Sequence, residues 1–277
     1  MTAIPDRAGR ERSLTGWPQL DWRASFVPLA LVLALLPPLT AAVLARGGAV
    51  LWMAGLAALA GLAWSFLFAR LRRRPIGLQW LSSALVLALL VPADLPIWQL
   101  VLAQSFGMVA GSLVFGGRGY GFVGPGTVAL AFLLFSFPAL QLSSQDGLMS
   151  LAVLGSAVLL VGFGLVSGWQ LLAGAGCYAI AVAGTGAVDP IALLGDGGFW
   201  LALVFLAGDL DARALTRMGR LVQGALYGLL LALFSLAAAS PLPHAAVFAA
   251  LLASVAAPLA DQLVIALNFW RRSGRYG

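Results

Sequence analysis

No lysine occurs anywhere in the 277 residues, which hold one cysteine, one histidine and one glutamate; 9% of the chain is charged against 61% hydrophobic. Charge this sparse excludes a water-soluble globule, in which about a quarter of the residues are normally charged. The single Cys177 rules out an intrachain disulfide and any Cys-only zinc or iron–sulfur site within the chain. The net charge of +6 comes from sixteen arginines placed between or beyond apolar runs. That pattern orients a membrane protein and is not a nucleic-acid footprint.

What the sequence has in quantity is apolar stretches of bilayer length. Ten stand near 25–45, 48–69, 77–93, 96–115, 125–140, 149–167, 169–187, 196–210, 219–238 and 244–267. They predict an all-α integral membrane protein of about ten transmembrane helices. With the N-terminus in the cytoplasm, Arg7, Arg10, Arg12, Arg23, Arg70, Arg72, Arg73, Arg74, Arg118, Arg213, Arg217, Arg220, Arg271, Arg272 and Arg275 all fall inside, and only Arg46 falls outside. Both termini are therefore expected in the cytoplasm. The apolar run ending near Ala45 is longer than a usual signal-peptide core and is expected to stay as the first span.

The two halves echo one another. Gly107 and Gly111 recur as Gly224 and Gly228, and Asp94-Leu95 recurs as Asp209-Leu210. Five spans is an odd number, so a duplicated five-helix unit would be inverted across the bilayer, with a site expected between the halves. The expected boundaries are a flexible tail at 1–22, repeats at 23–140 and 141–270, and a basic tail at 271–277.

Between the fourth and fifth segments the chain reads Gly116-Gly117-Arg118-Gly119-Tyr120-Gly121, followed by Gly124-Pro125-Gly126. Non-helical backbone at membrane depth is tolerated where protein buries it or where it lines a cavity. Bare amides there let a phosphate or a flat ring approach the main chain, and Arg118 offers a charge-assisted contact. The other reading is a tight cytoplasmic turn. If the backbone is approached, Gly117→Val abolishes activity and Ser144→Ala does not. Two carboxylates stand out as candidates for an ion or proton path, Asp209 and Asp261, because an acid near a membrane helix is expensive unless paired or functional. Pairing of Asp209 with Arg213 or Arg217, and of Asp261 with Arg271 or Arg272, is the plainer alternative.

Three ordered stretches carry a resemblance covering almost the whole chain. FGGRGYGFVGPGTVALAFLLFSFP at 115–138, LTRMGRLVQGALYG at 215–228 and Ala257-Pro258-Leu259-Ala260-Asp261 are similar to signatures of the RnfD/NqrB family. That resemblance implies ten helices in an inverted repeat and a bacterial inner-membrane subunit of an electron-transport, ion-translocating oxidoreductase. It also implies flavoprotein and iron–sulfur partner subunits. The family joins FMN to a threonine in an outer loop after the fifth helix, but here that position falls on Ala152, so no covalent FMN is expected. FMN or riboflavin held non-covalently near Gly116, Gly117, Arg118, Gly119, Gly121 and Pro125 is the corresponding expectation. A small-solute or ion channel on the same repeat, with mouths at 116–121 and 195–198, and a non-redox structural subunit are the alternatives.

Overall fold

The computed structural model describes residues 22–73, 76–117, 119–143, 147–185, 195–210, 212–237 and 241–273. The tail 1–21, Arg118, Ser144, Asp146 and Asp189 lie outside the described residues. Among the described residues the chain is all-α, without strands. The helices are α1 Trp22–Arg46, α2 Ala49–Arg72, α3 Gln79–Leu90, α4 Ile97–Leu113, α5 Pro125–Ser136, α6 Gly147–Gly162, α7 Gly168–Thr185, α8 Gly197–Ala207, α9 Arg217–Ala237 and α10 Leu242–Ser273. Each apolar segment read from the sequence overlaps one of them. Two differences stand out: α5 stops at Ser136, since Phe137 precedes Pro138 and is disfavoured in helix, and α10 runs on into the basic tail.

Local chemistry sets the ends. Pro125 begins α5, where its missing N–H costs nothing. Asp196 caps α8 by accepting the Phe199 N–H at 3.0 Å, and the Thr216 hydroxyl caps α9 by accepting the Gly219 N–H at 2.9 Å. Helices α4 and α8 each close on a π turn, Val109–Leu113 and Ala202–Ala207.

Four helical stretches are long and apolar enough to cross a bilayer: Phe26–Arg46, Ala49–Arg72, Arg217–Leu236 and Leu242–Ala266. Inside a bilayer the hydrophobic effect cannot draw helices together, so small residues and hydrogen bonds do it. A Cβ at Gly224 would overlap the Gln170 carbonyl, and one at Gly111 would lie 2.8 Å from Pro125 Cα. These glycines let α9 touch α7 and α4 touch α5 backbone to backbone. The packing pairs are matched between the halves. α1 lies on α3 as α6 lies on α8, α2 on α4 as α7 on α9, α4 on α5 as α9 on α10, and α3 on α5 as α8 on α10. The halves meet through α1 against α6 and α5 against α10.

Candidate functional site: a carboxylate cleft where three short helices end

Helices α3 and α5 have 12 residues each, and α8 consists of a 5-residue α segment and a 6-residue π turn. At 1.5 Å per residue each is about 18 Å long or shorter, well under the hydrocarbon thickness. All three end at one cleft. The start of α3 supplies Gln79, Ser82 and Ser83, the start of α5 supplies Pro125, Gly126 and Thr127, and the chain leaving α8 supplies Gly208 and Asp209; Leu31 and Leu35, near the middle of α1, close the floor.

The Asp209 carboxylate lies against the first turn of α5. A Cβ at Gly124 would overlap its Oδ2, so this glycine is what allows the approach. Gly124 is the residue before the helix and is in extended conformation, and Pro125 follows it. The carboxylate thus sits at the positive end of a helix whose first-turn amides lack intrahelical acceptors, an arrangement that favours the ionised acid. Hydroxyl groups of the same cleft stand beside apolar Val86, Val204 and Phe205. The Ser82 hydroxyl donates to the Gln79 carbonyl at 3.0 Å, Ser83 donates to Gln104 Oε1 at 3.3 Å, and Thr127 is buried. Ser112, inside the π turn of α4, donates to Gln79 Oε1 at 2.7 Å and so fixes the glutamine that borders the cleft. π turns are frequent at functional sites because they turn a side chain out of helical register.

The cleft's volume is about 30 Å³, room for one or two waters or a small cation. A ligand pocket for a flavin-sized molecule is on the order of ten times larger. The residues here do not fit FMN or riboflavin, and a carboxylate at the wall would repel a phosphate. Ala152, half-buried in α6, offers no oxygen for a phosphoester. Among the described residues no group of three or more His, Cys, Asp or Glu comes together to hold a transition metal.

Of the residues singled out from the sequence, Pro125 and Asp209 line the cleft. Gly116, Gly117 and Gly119 form a turn with φ of 115°, 96° and 80°. A Cβ at Gly117 or Gly119 meets no other protein atom within 4 Å, so no packing neighbour requires glycine here and the positive φ is what it supplies; neither residue lines the cleft. Gly121 packs its Cα against the Gly111 carbonyl. Asp261 stands apart from the cleft. Its carboxylate accepts the Leu215 N–H at 2.7 Å, the Thr216 N–H at 3.0 Å and the Thr216 hydroxyl at 2.6 Å, binding α10 to the turn that starts α9. Arg213 donates to the Leu165 carbonyl at 2.6 Å. Partial burial, with Arg220 nearby, lowers its guanidinium from the ordinary value without discharging it.

Sequence reasoning missed the serine–threonine–glutamine lining. The available signal was glutamine within apolar segments, at 104, 170 and 223, since a buried amide in a bilayer needs partners.

Comparison with known proteins supplies the family context. Residues 23–177 and 148–269 match the model of the NQR2, RnfD, RnfE family. The chain is 29% identical to a Na(+)-translocating NADH-quinone reductase subunit from Pseudomonas aeruginosa (strain LESB58), over 77% of this chain and 66% of the relative. It is 28% identical to the like-named protein from Yersinia pestis, over 76% and 65%, and equally to that from Klebsiella pneumoniae. The chain thus spans about two thirds of the length of the curated relatives it matches.

Proposed function

The chain belongs to the NQR2, RnfD, RnfE family, and on that premise we propose that it is the membrane subunit of an ion-translocating NADH-quinone oxidoreductase, with Asp209 on the cation path. The cleft carries this reading. It joins a carboxylate, a helix N-terminus and neutral oxygens at a place where three short helices stop, which is how broken helices in inverted-repeat transporters present an ion site near the midplane. Oxygen donors around one carboxylate suit a hard cation such as Na⁺.

The same reading takes the fold as ten spans in two inverted five-helix repeats, 23–140 and 141–270, multi-pass in a bacterial inner membrane with both ends cytoplasmic. The matched helix pairings of the halves and the arginine distribution support it. The short helices count as spans because they meet a cleft and not lipid at one end. Electrons enter and leave through flavoprotein and iron–sulfur subunits, because this chain has no cysteine set for a cluster. The channel alternative is disfavoured at its second mouth: Gly197 and Gly198 are buried, and a Cβ at Gly197 would lie 2.8 Å from Met149.

The test uses inverted vesicles from a deletion strain complemented with wild type or Asp209→Asn. The variant is expected to assemble into the complex and to lose at least tenfold in NADH-driven Na⁺ uptake. Wild-type uptake by an assembled Asp209→Asn complex would remove Asp209 from the path.

A further inference from the structure

Among the described residues the chain that leaves α8 at Asp209 is not helical again until Arg217, yet several of its backbone groups are held. The Asp209 carbonyl accepts the Ala212 N–H at 3.2 Å. The Ala212 carbonyl accepts from Gln223 Nε2 at 2.8 Å, and the Ala214 N–H donates to Gln223 Oε1 at 2.8 Å. Next, Leu215 and Thr216 donate to Asp261. Gln223 lies in α9 and is 1% exposed. It uses both ends of its amide on this one loop, and in an apolar span a buried amide is stable only when so engaged.

We propose that Gln223 is a positioning residue for cation transport: its two hydrogen bonds hold the 209–216 loop so that the Asp209 carboxylate stays against the first turn of α5. This rests on the reading of Asp209 given above. Gln223 touches neither the cleft nor the cation, and acts through Ala212 and the turn closed by Asp209. A site held loosely by about 1 Å binds its ion less well even with every ligand present.

The experiment uses the intact complex and the Na⁺ concentration giving half-maximal NADH-driven quinone reduction. Gln223→Met keeps the side chain's length and removes both hydrogen bonds. The expected result is an approximately tenfold rise in that concentration with the maximal rate within about twofold of wild type. In the double variant with Asp209→Asn, Gln223→Met adds nothing further, because both changes act at one place. Gln223→Glu retains the oxygen for Ala214 and gives a smaller rise. An additive loss in the double variant, an unchanged Na⁺ dependence in Gln223→Met, or failure of both Gln223 variants to assemble overturns the proposal. A wild-type Na⁺ dependence in Asp209→Asn alone instead overturns the assignment of Asp209, so the two failures are told apart.

Discussion

Two stretches whose described residues lie outside the helices, 114–124 and 208–216, occupy matching places: each follows a π turn at the end of one helix and leads into the start of another. They are built on different principles. The first is a conformational break, with Gly116, Gly117 and Gly119 at positive φ, open space beside the last two, and backbone bonds such as Gly117 N–H to the Ser112 carbonyl at 3.0 Å. Among its described residues no glycine of the second is at positive φ; side chains from α9 and α10 hold it instead, Gln223 on Ala212 and Ala214 and Asp261 on Leu215 and Thr216, while Gln170 of α7 holds Ala207 just before it. One break delivers a helix N-terminus to the cleft and the other delivers a carboxylate. The side that carries charge is the side that is clamped, which is sensible where a displacement of 1 Å matters to an ion more than to a backbone turn.

Removing the clamp is the most damaging way to test that difference. Asp261→Ala leaves two amides and a hydroxyl without their acceptor, three hydrogen bonds to a charged group at an only partly buried site. A loss of about 2–4 kcal/mol follows, read as a fall of thermal stability and yield of the purified complex. Asp261→Asn keeps one acceptor oxygen and should retain most of both. If instead Asn and Ala abolish Na⁺ uptake equally in stable complexes, Asp261 belongs to the ion path and the contrast between the breaks fails.

Next in size is Gly124→Ala, at the point where the two breaks meet. The added methyl group overlaps Asp209 Oδ2. A carboxylate end can swing aside, so the protein should fold, while the acid loses its place at the α5 N-terminus. Na⁺ uptake is expected to fall roughly tenfold, the cost of about 1–2 kcal/mol of lost charge–dipole stabilisation. Unchanged uptake would mean the contact with α5 is incidental.

The helices were legible because a period of apolar residues and a bilayer's thickness are both one-dimensional facts. The segment read at 219–238 is the helix Arg217–Ala237, and that at 48–69 is Ala49–Arg72. Glycine and proline marked the first break correctly as non-helical, but composition alone cannot separate a glycine that serves its own φ, such as Gly117, from one that serves a neighbour, such as Gly124. That distinction depends on which atoms lie beside the Cα, and Asp209 is 85 positions away in sequence. The second break was harder still. Its hydrogen bonds come from Gln170, Gln223 and Asp261, and the π turns before both breaks have no compositional signature comparable to proline or glycine. Asp209 stood out because charge in a membrane is rare; the serines and threonine that share its cleft did not, because such residues are common in membrane helices.

Gly117 now carries a smaller expected effect than a blocked backbone approach would give. With φ at 96° and open space around it, Gly117→Ala costs about 1–2 kcal/mol of backbone strain and leaves Na⁺ dependence within about twofold of wild type. Loss of transport in a stable Gly117→Ala complex would restore the close approach of a ligand to this turn.

The mildest test concerns the side chain that ties the first break to α2. Arg72 donates to the Leu113 carbonyl at 2.7 Å and to Val114 at 3.2 Å, where the π turn leaves carbonyls without helical donors. It is exposed, so water replaces it readily, and Arg72→Gln should cost under about 1 kcal/mol and shift Tm by no more than a few degrees. The glycine turn is then shown to hold its shape largely by its own dihedral angles. A loss as large as that of Asp261→Ala would instead make the first break a clamped one as well, and the asymmetry between the halves would reduce to a difference in which residue does the clamping.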